Sequence, residues 1–217
     1  MRQSLAVLAV ALAWLVIAAG LQWRAIEGGT DGYVIEYDLA GSQGPQHVRF
    51  SYRDDLRWRR DVTGPGGAPV STEAADGASV WQIRGDSGMY ARFPFPVDSD
   101  TGEVDPFGRW GYWPGALSSR QLLRVLGESL PPYMVSELIG DDVVAGRPVV
   151  FVRYFQRSSP SFNSLCVDRE LRAVLRYTPE GSGHAEAIQV SKVTRGVTFS
   201  PSFFALPRDS KPRPPAQ

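Results

Sequence analysis

From Tyr33 onward apolar residues recur at every second position, and this period constrains the fold more than any other feature of the chain. Tyr33, Ile35, Tyr37 and Leu39 alternate with Glu36 and Asp38; Val48, Phe50 and Tyr52 alternate with His47, Arg49, Ser51 and Arg53. Leu56, Trp58, Arg60 and Val62 alternate with Arg57, Arg59 and Asp61 in the same way. Side chains along a strand point to opposite faces in turn, so the pattern predicts strands with one wet face. Turn residues separate the runs: Ala40 to Pro45, Asp54-Asp55, and Gly64-Pro65-Gly66-Gly67. Asp76-Gly77 before Val80-Trp81-Gln82-Ile83, and Asp86-Ser87-Gly88 before Met89 to Phe93, continue a meander of hairpins.

The period is lost from Pro94 to Pro114, a stretch holding Phe95, Phe107, Trp110, Tyr112 and Trp113. A loop of that length in a compact domain is commonly functional. It reads either as a lid or membrane-interface wedge, or as rings that cap the sheet. Ser118 or Ser119 then suits the cap of a helix running to about Leu130, with Leu122, Val125, Leu126 and Leu130 on one face and Pro131-Pro132 as the stop. Strands resume over Val135–Val144, Pro148–Gln156, Ser164–Asp168, Leu171–Tyr177 and Ala185–Val193, before a closing turn at Phe199–Leu206. The expected architecture is mainly β, of α+β type: a large curved antiparallel sheet, a half-open barrel, with few helices covering its concave face.

Ahead of this domain, Leu5 to Leu21 is an apolar run of 17 residues between Arg2 and Arg24. A cleavable export signal has an apolar core of roughly 7–15 residues, and a membrane-spanning helix needs about 17–25, so both readings remain open. Either one puts the following residues outside the cytoplasm. The division expected is a signal or anchor over 1–23, one domain over 24–208, and a disordered tail over 209–217.

Composition closes other routes. The single Cys, Cys166, permits neither an internal disulfide nor a structural zinc site, and its place between Leu165 and Val167 reads as a buried, inert thiol. An exported domain without disulfides suits a bacterial periplasm or cell envelope. With 23 basic and 23 acidic residues the formal net charge is zero, which leaves no footprint for nucleic acid.

Catalytic and metal signals are thin. Gly85-Asp86-Ser87-Gly88 has the string that surrounds a serine-protease nucleophile, but the only histidines are His47 and His184, and a hairpin turn accounts for it. The acidic run from Asp98 to Asp105 has its Gly in the wrong place for a calcium loop. Gly64 to Gly67 lacks the Lys and Ser/Thr of a phosphate loop. No cofactor and no catalytic residue is expected, and a hydrolase acting through Ser87 stays the distant alternative. Arg60 is different: it shares a face with Leu56 and Trp58, so it needs a buried partner or a ligand headgroup.

Three stretches together resemble the bacterial lipoprotein-carrier fold shared by LolA, LolB and the LolA-like domain of the sigma-E regulator RseB. They are Val48 to Asp61 as an early hairpin, Asp76-Gly77 with Val80 to Ile83 as a turn and strand, and a second half running from Val144-Ala145-Gly146-Arg147-Pro148 through Leu165 to Asp168 and Leu175-Arg176 to Phe203 to Pro207. The resemblance spans roughly Tyr33 to Arg208. It implies a half-open barrel that binds acyl chains without catalysis. Arg53 stands where the carriers have a functional Arg, although Asp54 follows it in place of their Pro, and a plain surface Arg is the competing assignment.

The ligand expected is therefore a lipid or lipoprotein acyl chain in the sheet's concavity. The residues expected to contact it are Arg53, Trp58, Arg60, Trp81, Phe93, Trp110, Trp113, Leu122 and Leu126. The alternative function is an RseB-like regulatory module that docks on a membrane-bound protein partner. Membrane association would run through residues 5–21 if they are not cleaved.

Overall fold

The structure, a computed structural model, describes residues 32–41, 44–85, 88–97, 115–128, 130–158, 161–180 and 188–213. The apolar run 5–21, Ser87, His184, Trp110 and Trp113 lie outside the described residues. Among the described residues no helix is long and apolar enough to cross a membrane.

The alternating segments form a meander: β1 (Gly32–Gly41), β2 (Gly44–Asp54), β3 (Arg57–Thr63), β4 (Pro69–Asp76), β5 (Val80–Arg84) and β6 (Met89–Phe93). A two-residue strand, β7 (Gly115–Ala116), precedes helix α1 (Ser119–Val125). The second half is β8 (Met134–Val144), β9 (Arg147–Gln156), β10 (Phe162–Asp168), β11 (Ala173–Glu180) and β12 (Ile188–Val197), with β13 (Lys211–Pro212) near the end. All join one sheet of 13 strands in the order β13-β6-β5-β4-β3-β2-β1-β12-β11-β10-β9-β8, with β7 paired to β11. Neighbours are antiparallel except for β13, which runs parallel to β6.

Register assigns every side chain to a face, because residues paired across neighbouring strands share one. On the inner face Tyr52, Trp58, Ala75, Val80 and Phe93 form one cross-strand row. In the second half Leu138, Val152, Leu165, Tyr177 and Ile188 form another. The outer row is Thr194, Val34, Ser51, Arg59, Ala74, Trp81 and Arg92.

The sheet curls so that β11 faces β1 and β2. The Tyr37 hydroxyl donates to the Val174 carbonyl at 2.9 Å, and Arg172 donates to the Tyr52 hydroxyl at 2.5 Å and to Asp55 at 3.2 Å. The seam lies between β11 and β12, which pair only at Arg176–Gln189 and Tyr177–Ile188 among the described residues. Toward the start of β11, β7 takes the neighbouring place, pairing Ala116 with Ala173. Gly115 fits there because its φ of +145° suits glycine and its bare Cα lies over the Phe50 ring.

Helix α1 is shorter than the pattern predicts. Of the two candidate caps it is Ser118 that serves, in a capping box with Gln121, but the helix stops at Val125 rather than near Leu130. Gly127, at φ +91°, turns the chain out of the helical region well before Pro131. Leu122 and Val125 nonetheless bury against Val150, Val152, Tyr154, Leu165, Val167 and Val174.

The segment after β12 holds the expected closing turn. Phe199, Phe203 and Phe204 pack on one another around a 3-10 turn at Pro201–Phe203. They cover the outer face: Trp81 Nε1 donates to the Phe204 carbonyl at 3.0 Å, and Arg59 reaches the Phe203 carbonyl at 3.2 Å with its guanidinium over the Phe203 ring. Within the stretch expected as a tail, Lys211 and Pro212 add to the edge of β6 beside Met89 and Tyr90.

Candidate functional site

The inner face of β1 to β6 gathers more aromatic surface than any other described part of the sheet. Tyr33, Ile35, Tyr37, Phe50, Tyr52 and Trp58 belong to one buried cluster. Tyr33 stacks on Tyr52 with ring centroids 4.8 Å apart, and Phe50 on Trp58 at 6.1 Å. Offset stacking of this kind adds about 0.5–1.5 kcal/mol per pair beyond the burial itself. At the rim the apolar side chains are only half buried: Leu39, Val62, Phe95, Ile188 and Val193 pack against the cluster without being enclosed.

A charged row crosses this face. Phe50, Arg60, Glu73 and Gln82 are paired in register across β2 to β5. Arg60 donates to one Glu73 carboxylate oxygen and the Gln82 amide to the other. Glu73 is 1% exposed, so this is a buried carboxylate held by a cation and an amide. The partner that Arg60 requires is therefore Glu73, a residue in a strand the alternation does not reveal.

Beside the row, the Tyr33 hydroxyl is buried and has no hydrogen-bond partner among the described residues. Burial, with the neighbouring Tyr52 and Tyr37, pushes its pKa well above the usual phenol value, so it stays a neutral donor. Tyr52 differs. Burial first, then the nearby Asp55 charge, also raises its pKa, but its hydroxyl donates to Asp55 at 2.5 Å and accepts from Arg172. An orphaned buried donor at an aromatic face is a place where a ligand acceptor gains a bond at little desolvation cost.

The other expected contact residues scatter. Trp58, Arg60 and Phe93 share the inner face, but Trp81 lies on the opposite face beneath Phe204, so no single ligand in the concavity touches both tryptophans. Leu122 and Leu126 are on α1 and its C-cap, packed over β9 to β11. Arg53 is exposed, 3.9 Å from Asp54, at the end of β2. Residues not flagged by the sequence are Tyr33, Tyr52, Glu73 and Arg172; the last sits at positive φ in a turn, which no periodicity marks.

No group of His, Cys, Asp and Glu suited to a metal occurs among the described residues. His47 is a strand residue whose Nδ1 lies 2.8 Å from Asp38 on the exposed side. Cys166 is buried, as expected, and burial pushes its thiol up despite the Arg176 charge beside it.

No family profile matches the chain, and no curated protein matches it in sequence. By fold, 43 solved chains match. An uncharacterised conserved protein from Thermus thermophilus aligns over 90% of this chain and 98% of its own, with a TM-score of 0.55 and 10% identity. The MucA/MucB complex of Pseudomonas aeruginosa matches 86% of this chain and 59% of the solved one, at TM-score 0.45 and 14% identity. A LolA superfamily protein from Nitrosomonas europaea matches 82% of this chain and 90% of its own, at TM-score 0.34 and 10% identity. At these identities the likeness is one of fold alone. The matching solved chains thus include MucB and a LolA superfamily protein.

Proposed function

We propose that the chain is an exported, non-catalytic domain that holds a lipid, or the acyl chain of a lipoprotein, against the inner face of β1 to β6. The observation that carries this is the unpartnered Tyr33 hydroxyl set among stacked aromatic rings, in a cluster against which half-buried apolar side chains pack. A folded chain keeps a buried donor unsatisfied at a cost of about 1–3 kcal/mol, and a ligand carbonyl removes that cost. The rim supplies apolar contact for a hydrocarbon chain, and the Arg60–Glu73–Gln82 row fixes the side chains around it. The apolar run 5–21 and the lack of a disulfide framework fit delivery to a bacterial cell envelope.

The test is purification of the full chain from bacterial membranes, followed by mass spectrometry of extracted lipid. Lipid retained by the native chain, and retained about fivefold less by Tyr33→Phe with no loss of stability, is the expected result. A native chain that carries no lipid, or a Tyr33→Phe variant that carries as much, sinks the proposal.

A further inference from the structure

The far edge of the sheet has a second surface, on other strands than the inner aromatic face. β8 is the last strand in the sheet order, and its 11 residues present one side of their backbone to no other described strand. A long unpaired edge is a template for another chain, and proteins commonly guard it with Lys, Pro or a covering segment. β8 has neither Lys nor Pro, and three of its large apolar side chains, Leu138, Ile139 and Val143, are exposed. Its guards are a break in register between Leu138 and Gly140, and the Val143 amide, which donates to the Asp142 side chain at 2.7 Å.

Beside the last residues of β8 lies an open groove of about 600 Å³. Its floor is apolar, from Pro148, Val149, Val150 and Val167, with Val143 at the β8 margin. Asp141, Asp142, Asp168, Arg169 and Glu170 also line it. Three of the four carboxylates are already answered: Asp142 by Arg176 at 2.5 Å, Asp168 by Arg147, and Glu170 by Arg147 at 2.7 Å. Asp141 is exposed, and nothing pairs with it among the described residues.

We propose that the β8 edge and this groove dock an extended segment of a partner protein that alternates apolar and basic residues. The strand adds to β8, its apolar side chains enter the groove, and a Lys or Arg meets Asp141. Charge decides between occupants. β8 carries Glu137, Asp141 and Asp142 and no cation of its own; Arg153 and Arg176 answer Glu137 and Asp142, so the charge left over is that of Asp141, and the β8 strand of a second copy brings no cation to meet it. The surface lies on other strands than β1 to β6, although Val149 on its floor also packs in the cluster of the aromatic face.

The probes are two labelled synthetic peptides, one alternating valine with arginine and one alternating valine with glutamate, titrated into the full chain. Hydrogen exchange then maps where each protects the backbone. The expected result is binding of the arginine peptide, slowed exchange across β8, and affinity about tenfold weaker in Asp141→Lys. Asp141→Asn, with the same size and no charge, serves as a second variant and should weaken binding in the same direction. Equal binding of the glutamate peptide, binding of neither peptide, or protection away from β8 overturns the proposal. So does β8 protection that grows with protein concentration in the absence of peptide, which would assign the edge to a second copy.

Discussion

In the first half of the sheet the inner face is aromatic and crossed by a buried charged row; in the second half the face under α1 is aliphatic. Val150, Val152, Leu165 and Val167 meet Leu122 and Val125 in a dry packing of branched side chains. Tyr33, Tyr52, Phe50 and Trp58, also buried, pack instead in one cluster with Val149, Cys166, Ala173, Leu175 and Val190 of the second half, beside an orphaned hydroxyl and the Arg60–Glu73–Gln82 row. One curved sheet thus has a half whose covering is complete and a half whose polar groups ask for more. With the ligand proposed above, stability falls to the helix-covered half and binding to the aromatic half.

The sharpest test of this contrast is Glu73→Ala, which leaves the Arg60 charge buried without its carboxylate and should cost about 3–5 kcal/mol in urea unfolding. A loss under about 1 kcal/mol would mean that the row is not a sealed part of the core. Leu165→Ala, at 0% exposure under the helix, should cost about 3 kcal/mol with no change in lipid retention. If lipid is lost with it, the division of labour between the halves fails. Ser118→Ala removes the helix cap and should cost about 1 kcal/mol, confined in hydrogen exchange to α1 and the strands beneath it.

One acid-sensitive group belongs to the first half. Desolvation alone would raise the Asp76 carboxyl, but the amides of Ala78 and Ser79 and the Arg92 guanidinium outweigh it and hold the group below the usual carboxylate range. A carboxylate whose folded pKa is lowered contributes fully above its unfolded value, about 4, and loses that contribution as pH falls through the folded one. Asp76→Asn should therefore flatten the loss of stability below about pH 4, seen as a smaller shift of the urea midpoint. The smallest effect belongs to Arg53→Ala. On an exposed strand end it should stay within about 0.5 kcal/mol in stability and leave lipid retention unchanged; a large loss of retention would return Arg53 to the site.

What was legible in the sequence follows from which strands have one wet face. β1, β2 and β3 alternate cleanly, and their boundaries fall where the turn residues stand. β4 does not alternate, because Glu73, Ala74 and Ala75 are all buried: Glu73 inward against Arg60, Ala74 outward in the row of Arg59 and Trp81. A strand covered on both sides loses its period. The same cover explains Trp81. From its strand alone either Val80 and Gln82 or Trp81 and Ile83 face inward, and only the phenylalanines after β12 decide that the tryptophan faces out.

The sequence by itself determined the class of fold, the meander of hairpins, a helix cap at Ser118 or Ser119, the inert burial of Cys166 and the need of Arg60 for a partner. Each of these is set by neighbours within one turn or one strand, where alternation, capping and burial act locally. Only the tertiary structure decided the identity of that partner, the face of Trp81, the orphaned Tyr33 hydroxyl, the Arg172 clasp on Tyr52 and Asp55, and the open edge at β8. Those rest on contacts such as Tyr52 with Arg172, 120 positions apart, and Trp81 with Phe204, 123 apart. No local preference encodes such distances, because they follow from how far the sheet curls and which segments remain to cover it.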